Sequence, residues 1–125
     1  ARALEKDPHV IKVNYPTVEK YPQKELAKKL FKNSNMCGAM LSFEMPSDRE
    51  KINEFMKRLN ICHYAPTLGG VRTTMPHPAT SSHRDLPEEM KKALGITEGL
   101  MRISVGIEEP EDLIADFTQA LKAFD

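Results

Sequence analysis

The strongest constraint in the chain lies between Gly38 and Leu59. From Gly38 to Met45 the residues alternate: Ala39, Leu41, Phe43 and Met45 point one way, and Met40, Ser42 and Glu44 the other. A period of two over this length is a strand with one buried face. Pro46 closes it. Ser47 then opens a Ser-Asp-Arg-Glu capping box with Glu50, and Ile52, Phe55, Met56 and Leu59 follow at helical spacing. Residues 48 to 59 are therefore predicted to be an amphipathic helix. A half-buried strand running straight into a one-faced helix needs two layers, helix packed on sheet.

The remaining segments extend this pattern. Val10 to Val13 reads as a short strand ended by Pro16. A helix is predicted from Pro22 to Phe31, with Leu26, Ala27, Leu30 and Phe31 on one face. Lys20, Lys24 and Lys28 share another face, where Glu19 and Glu25 dilute their charge, so that face is solvated. Ile61 to Ala65 and Val71 to Met75 read as strands around a Thr67-Leu68-Gly69-Gly70 turn. Residues 76 to 84 form an ordered loop holding His77, Ser82 and His83. Asp85 caps a helix that ends at Gly95, Leu100 to Val105 is an apolar strand, and Pro110 starts the last helix. That helix buries Leu113, Ile114, Phe117, Ala120, Leu121 and Phe124. The fold class is α/β: an α+β two-layer sandwich of about four helices and four or five short strands.

Composition excludes several partners. The 125 residues suit a single domain, and no apolar run approaches the ~20 residues that span a bilayer. Eighteen basic residues balance eighteen acidic ones, which argues against nucleic acid or an anionic membrane surface. Cys37 and Cys62 are too few for a disulfide framework and read as buried, reduced thiols, which fits the cytoplasm. The chain starts Ala1-Arg2-Ala3-Leu4, without an initiator Met or an apolar signal region. It reads as a processed chain or as part of a longer one.

Arg102 is the most informative single residue. Met101, Ile103 and Val105 face one side of its strand; Leu100, Arg102 and Ser104 face the other. A guanidinium inside an apolar strand needs a partner. It either pairs internally with Asp or Glu, or forms a fork for a carboxylate or phosphate. His63, His77 and His83 join no acidic residue or cysteine at a metal-ligand spacing. Cys62 and His63 are strand neighbours and point apart. Glu88-Glu89 and Glu108-Glu109 precede helices and read as capping charges. Taken residue by residue, no complete active site appears.

Longer strings add a resemblance. Val13-Asn14-Tyr15-Pro16 and Gly38-Ala39-Met40-Leu41-Ser42-Phe43-Glu44 come first. Thr67-Leu68-Gly69-Gly70-Val71, His77-Pro78-Ala79 and Ser82-His83 follow. Gly95-Ile96, the string from Gly99 to Glu108, Asp112 to Asp116 and Gln119-Ala120-Leu121 complete the series. In this order they resemble the C-terminal domain of the Cys/Met-metabolism enzymes that use pyridoxal phosphate, the family of cystathionine γ-synthase, cystathionine γ-lyase and methionine γ-lyase.

The resemblance implies the small C-terminal domain of a fold-type I enzyme, a short mixed or antiparallel sheet covered by helices. It implies that Arg102 binds the α-carboxylate of an amino-acid substrate, with Thr67 and Ser82 in the substrate pocket. Thr67 stands where the family usually has Ser, and Ser82 where Thr is common. Pro66 and Arg72 stand where the family often has acidic residues, which leaves the substrate open. The family's cofactor lysine lies in a Ser-x-Thr-Lys motif, which this chain does not contain. The lysine, the phosphate cup and a stacking aromatic belong to the large domain, expected before Ala1. Residues 1–125 are thus expected to be one substrate-positioning domain, with no catalytic, cofactor-binding or metal-binding residue, and inactive alone. The expected whole is a cytoplasmic tetramer catalysing β- or γ-elimination or replacement on a sulfur amino acid or activated homoserine. The alternatives are a free-standing module binding a small anion or a protein partner, and a structural domain in which Arg102 pairs internally.

Overall fold

The structure, a computed structural model, describes residues 1–33 and 35–125. Its centre is a three-stranded antiparallel sheet of β1 (Lys12–Asn14), β2 (Met40–Glu44) and β3 (Leu100–Ser104), in that order. Val13 lies opposite Phe43, and Phe43 opposite Met101. Odd-numbered residues face the helices. Val13, Leu41, Phe43, Met101 and Ile103 are all buried there, beneath α3 (Arg49–Arg58) and α5 (Pro110–Leu121). Phe43 stands edge-on to Phe55 of α3 and to Phe117 of α5, with ring centroids 6.2 and 6.1 Å away. Such pairs add about 0.5–1.5 kcal/mol each beyond the area they bury. At the end of the sheet Met45 N–H donates to Gly99 O at 2.9 Å. A Cβ on Gly99 would lie 1.8 Å from the Met45 carbonyl oxygen, so only glycine permits this approach.

Several boundaries differ from the sequence reading. A one-turn helix, α1 (Arg2–Lys6), buries Leu4 and is too short to show periodicity. β1 begins two residues later than expected. Helix α2 covers Lys24–Leu30 and buries only Ala27, while Leu26, Leu30 and Phe31 of its predicted apolar face are exposed. Its lysines are solvated as expected, Lys24 pairing with Glu19 and Lys28 with Glu25. Asp48, not Ser47, caps α3, accepting from the amides of Glu50 and Lys51 at 3.1 Å each. Helix α4 spans Glu88–Ala93 and starts behind Pro87, whose fixed φ sets the helix entry; Asp85 pairs with Arg84 instead of capping. Gly95 does end α4, at φ +71°.

The strands predicted at 61–65 and 71–75 do not form. Only isolated bridges appear, His63 with Thr74 and Thr74 with Ser104. The physical reason is that carboxylates take the amides a strand would need. Asp116 accepts from the backbone N–H groups of Asn60, Ile61 and Cys62 at 2.9, 2.9 and 3.1 Å. Glu108, expected to be a capping charge, accepts from Thr73 N–H and from Thr73 Oγ1, both at 2.7 Å. Within α5, Asp116 is buried and Ile114 is exposed, the reverse of the apolar stripe read from the sequence. Burial opposes the charge on Asp116, but the three amides and Gln119 outweigh it and hold the carboxyl below its usual range. Burial, aided by Asp116 and Glu108, pushes the Cys62 thiol up to about 12, so it stays protonated and unreactive at neutral pH.

Asp116→Asn replaces an acceptor facing three amides with a group that is half donor. We expect a loss of about 2–4 kcal/mol at pH 7, measured by urea unfolding. Because the folded carboxyl is more acidic than the unfolded one, its contribution is full above the ordinary Asp value of about 3.9 and fades as pH falls through the folded value. Wild type and variant should therefore converge in acid. Equal unfolding midpoints at pH 7 would contradict this account.

Candidate carboxylate site

The sheet face away from α3 and α5 carries the even-numbered residues. One row across it is polar: Asn14 opposite Ser42, and Ser42 opposite Arg102. The Arg102 amide donates to Pro76 O at 3.3 Å, away from β2. Ser42 and Arg102 are therefore a non-hydrogen-bonded pair, the closer kind, with Cα atoms about 4.5 Å apart. Asn14 Nδ2 donates to Ser42 Oγ at 3.0 Å.

This row opens into a cleft of about 360 Å³, walled by Met40, Pro78, Ile96 and Leu100 and reached by Ser82 and His83. Among the described residues lining it, Arg102 and His83 are the only titratable side chains and none is a carboxylate, so it suits an anion. Among the described residues Arg102 forms no ion pair, and its Nε is buried without a hydrogen-bond partner. The internal pairing that periodicity allowed is thus not made. Glu44, on the same sheet face and one row away, accepts from Thr97 Oγ1 at 2.7 Å. An unmatched guanidinium is costly unless a ligand meets it.

The three residues singled out for substrate binding are placed differently. Ser82 shares the cleft with Arg102, and its Oγ lies 2.7 Å from His83 Nδ1. Thr67 is exposed and does not line the cleft; its carbonyl accepts from Thr74 Oγ1 at 3.0 Å. Its turn is nevertheless tied to the same sheet face, because Gly69 N–H donates to Ser104 Oγ at 2.9 Å. Ser104 is two residues along β3 from Arg102, a rise of roughly 7 Å. Gly69 turns at φ +71°, a conformation that favours glycine.

Of the histidines outside the cleft, His77 holds structure. His77 is buried, donates from Nε2 to Glu98 O at 2.6 Å and contacts Thr80 Oγ1 through Nδ1 at 3.0 Å. It braces the 76–84 loop against the turn before β3. His63 is exposed beside the Arg72 guanidinium, whereas Cys62 is buried, so the two do not form a nucleophilic pair. Among the described residues no cluster of His, Cys, Asp or Glu could hold a metal. A second depression, about 190 Å³ between α1 and α5, is walled by Leu4, Ile103, Leu113, Ile114 and Phe117 and has no cationic side chain. Sequence reasoning missed Asn14 and Ser42 as site residues. Their parity on the strands was readable, but their alignment with Arg102 depends on register.

Comparison with known proteins bears on the family and the fold. The family model for Cys/Met metabolism PLP-dependent enzymes matches residues 1–122. The L-methionine γ-lyase of Fusobacterium nucleatum subsp. polymorphum is 41% identical over 119 residues, which are 95% of this chain and 29% of that protein. The cystathionine γ-lyase of Rattus norvegicus is 39% identical over 123 residues, 98% of this chain and 30% of that protein. The crystal structure of cystathionine γ-synthase from Xanthomonas oryzae pv. oryzae, in complex with aminoacrylate and cysteine, superposes with a TM-score of 0.87 at 34% identity, covering 98% of this chain and 31% of that one. The fold is that of a domain of fold-type I PLP enzymes, and the chain spans about three-tenths of the length of its relatives. Among the described residues no helix is long and apolar enough to cross a membrane. On this agreement of sequence, fold and family model, the chain belongs to the Cys/Met-metabolism family of PLP-dependent enzymes.

Proposed function

We propose that this chain is the C-terminal, substrate-positioning domain of a trans-sulfuration enzyme, and that Arg102 binds the α-carboxylate of its amino-acid substrate. The observation that carries the reading is the unpaired guanidinium of Arg102, facing a cleft lined by no carboxylate. An Arg fork matches both oxygens of a carboxylate, so it sets orientation as well as charge. Ser82 lies in that cleft and supplies a hydroxyl to the substrate, while the Thr67 turn closes the C-terminal end of the same sheet face.

The family's cofactor is pyridoxal phosphate, and the residues present do not fit it. The chain has no Ser-x-Thr-Lys motif, and no lysine lines the Arg102 cleft. We place the cofactor lysine and phosphate cup in a large domain preceding Ala1, a reading supported by relatives more than three times as long. No bond-making step falls to this chain's side chains; their work is to bind and orient. The whole protein would catalyse β- or γ-elimination or replacement on a sulfur amino acid or activated homoserine, in the cytoplasm and as a homo-oligomer. Exposed Leu26, Leu30, Phe31 and Met36 support further protein contact outside this chain.

Two results are expected. The purified 125-residue chain, supplied with pyridoxal phosphate, turns over neither cystathionine nor methionine; detectable cofactor-dependent turnover contradicts this. In a protein of the relatives' length, Arg102→Lys lowers kcat/KM at least ten-fold, since the lost fork is worth roughly 1.5–3 kcal/mol, while the unfolding midpoint stays close to wild type. A stability loss with unchanged kcat/KM would return Arg102 to a structural role.

A further inference from the structure

We propose that Ser42 is a second hydrogen-bond donor to the bound carboxylate, and that Asn14 is the positioning residue that aims it. The inference rests on the assignment of Arg102 as the carboxylate clamp and extends that site by two residues on neighbouring strands.

The argument is one of donors and acceptors. Asn14 Nδ2 donates to Ser42 Oγ, which fills one lone pair of the hydroxyl oxygen and turns its proton away from Asn14. On the other side of Ser42 stands Arg102, the closer, non-hydrogen-bonded partner in the β2–β3 register. Arg102 has only donors, so it cannot accept that proton. The described residues offer the Ser42 hydroxyl no acceptor, and they offer Arg102 Nε none either. Ser42 and the terminal N–H groups of the Arg102 guanidinium thus meet at the cleft from adjacent strands, and a carboxylate there can accept from both without moving the backbone. All three residues sit on strands whose opposite face is packed, so the row is held in place before a ligand arrives. Glu44 is the one charged group of β2 on this face, opposite Lys12 of β1, and Thr97 engages it.

The row also predicts discrimination. A carboxylate accepts from both donors with full charge, whereas a carboxamide offers one neutral oxygen and brings two donors of its own. Asn14→Asp reverses the arrangement: its carboxylate draws the Ser42 proton toward itself and places a negative charge in the row with Arg102.

The test is a backbone NMR titration of the 125-residue chain with L-norleucine and with its carboxamide. Wild type should prefer the carboxylate. Ser42→Ala should weaken carboxylate binding roughly ten-fold and leave carboxamide binding nearly unchanged, and Ser42→Thr should restore it. Asn14→Asp should weaken carboxylate binding more than Asn14→Ala does. If Arg102→Lys abolishes carboxylate binding while Ser42→Ala and Asn14→Asp leave it intact, this inference fails and the clamp stands. If Arg102→Lys changes nothing, or the unaltered chain shows no saturable shift, the clamp itself fails and this inference with it. A purely structural Asn14–Ser42 bond would move the unfolding midpoint of Ser42→Ala without changing the carboxylate-to-carboxamide ratio.

Discussion

Phe43 is the fixed point of this domain. It is fully buried on the central strand and stands edge-on to one ring from each covering helix. Because strand side chains alternate, burying Phe43 decides that Ser42 and Glu44 point to the other face. A slip of one residue would exchange the faces, burying a hydroxyl and a carboxylate and exposing a phenyl ring. Met101 and Ile103 impose the same choice on β3, and Arg102 between them has only the open face left. The apolar layer therefore positions the polar one, and the cleft inherits its geometry from the core behind it.

A second constraint organises the chain around that sheet. Asp116 gathers the amides of residues 60–62, and Glu108 gathers the amide and hydroxyl of Thr73, whose Oγ1 in turn accepts from Gly106 N–H at 2.9 Å. Burial works against the charge on Glu108, yet those Thr73 bonds, with Arg72 nearby, keep its carboxyl below the usual range. Each carboxylate does for a loop what a neighbouring strand would do for a ladder. The loops touch the sheet only through an isolated bridge of Thr74 with Ser104, and the 67–70 turn comes to rest on Ser104 at the C-terminal end of β3. Both loops are thereby anchored at their bases.

Much of this was legible in the residues. The alternation from Ala39 to Met45, the helix after it and the odd placement of Arg102 in an apolar strand all carry their physics locally. What was not legible depended on distant partners. The periodicity of α5 assigned Ile114 to the core and passed over Asp116, because three amides more than fifty residues earlier make a buried carboxylate favourable. The same bonds cancelled the strand expected at 61–65. Asn14 and Ser42 looked like ordinary polar positions until register aligned them with Arg102. Thr67 was grouped with Ser82 by resemblance, yet only Ser82 lines the Arg102 cleft.

The central claim is that the Arg102 guanidinium is held ready for a carboxylate rather than spent within the fold. Its Nε–H resonance, assigned by its loss in Arg102→Lys, reports this directly. Titration with an α-amino acid carboxylate should move that resonance saturably and leave the other arginine Nε–H resonances in place. A resonance that does not respond would show that Arg102 meets no carboxylate, and the account of this domain as a carboxylate receptor would be wrong.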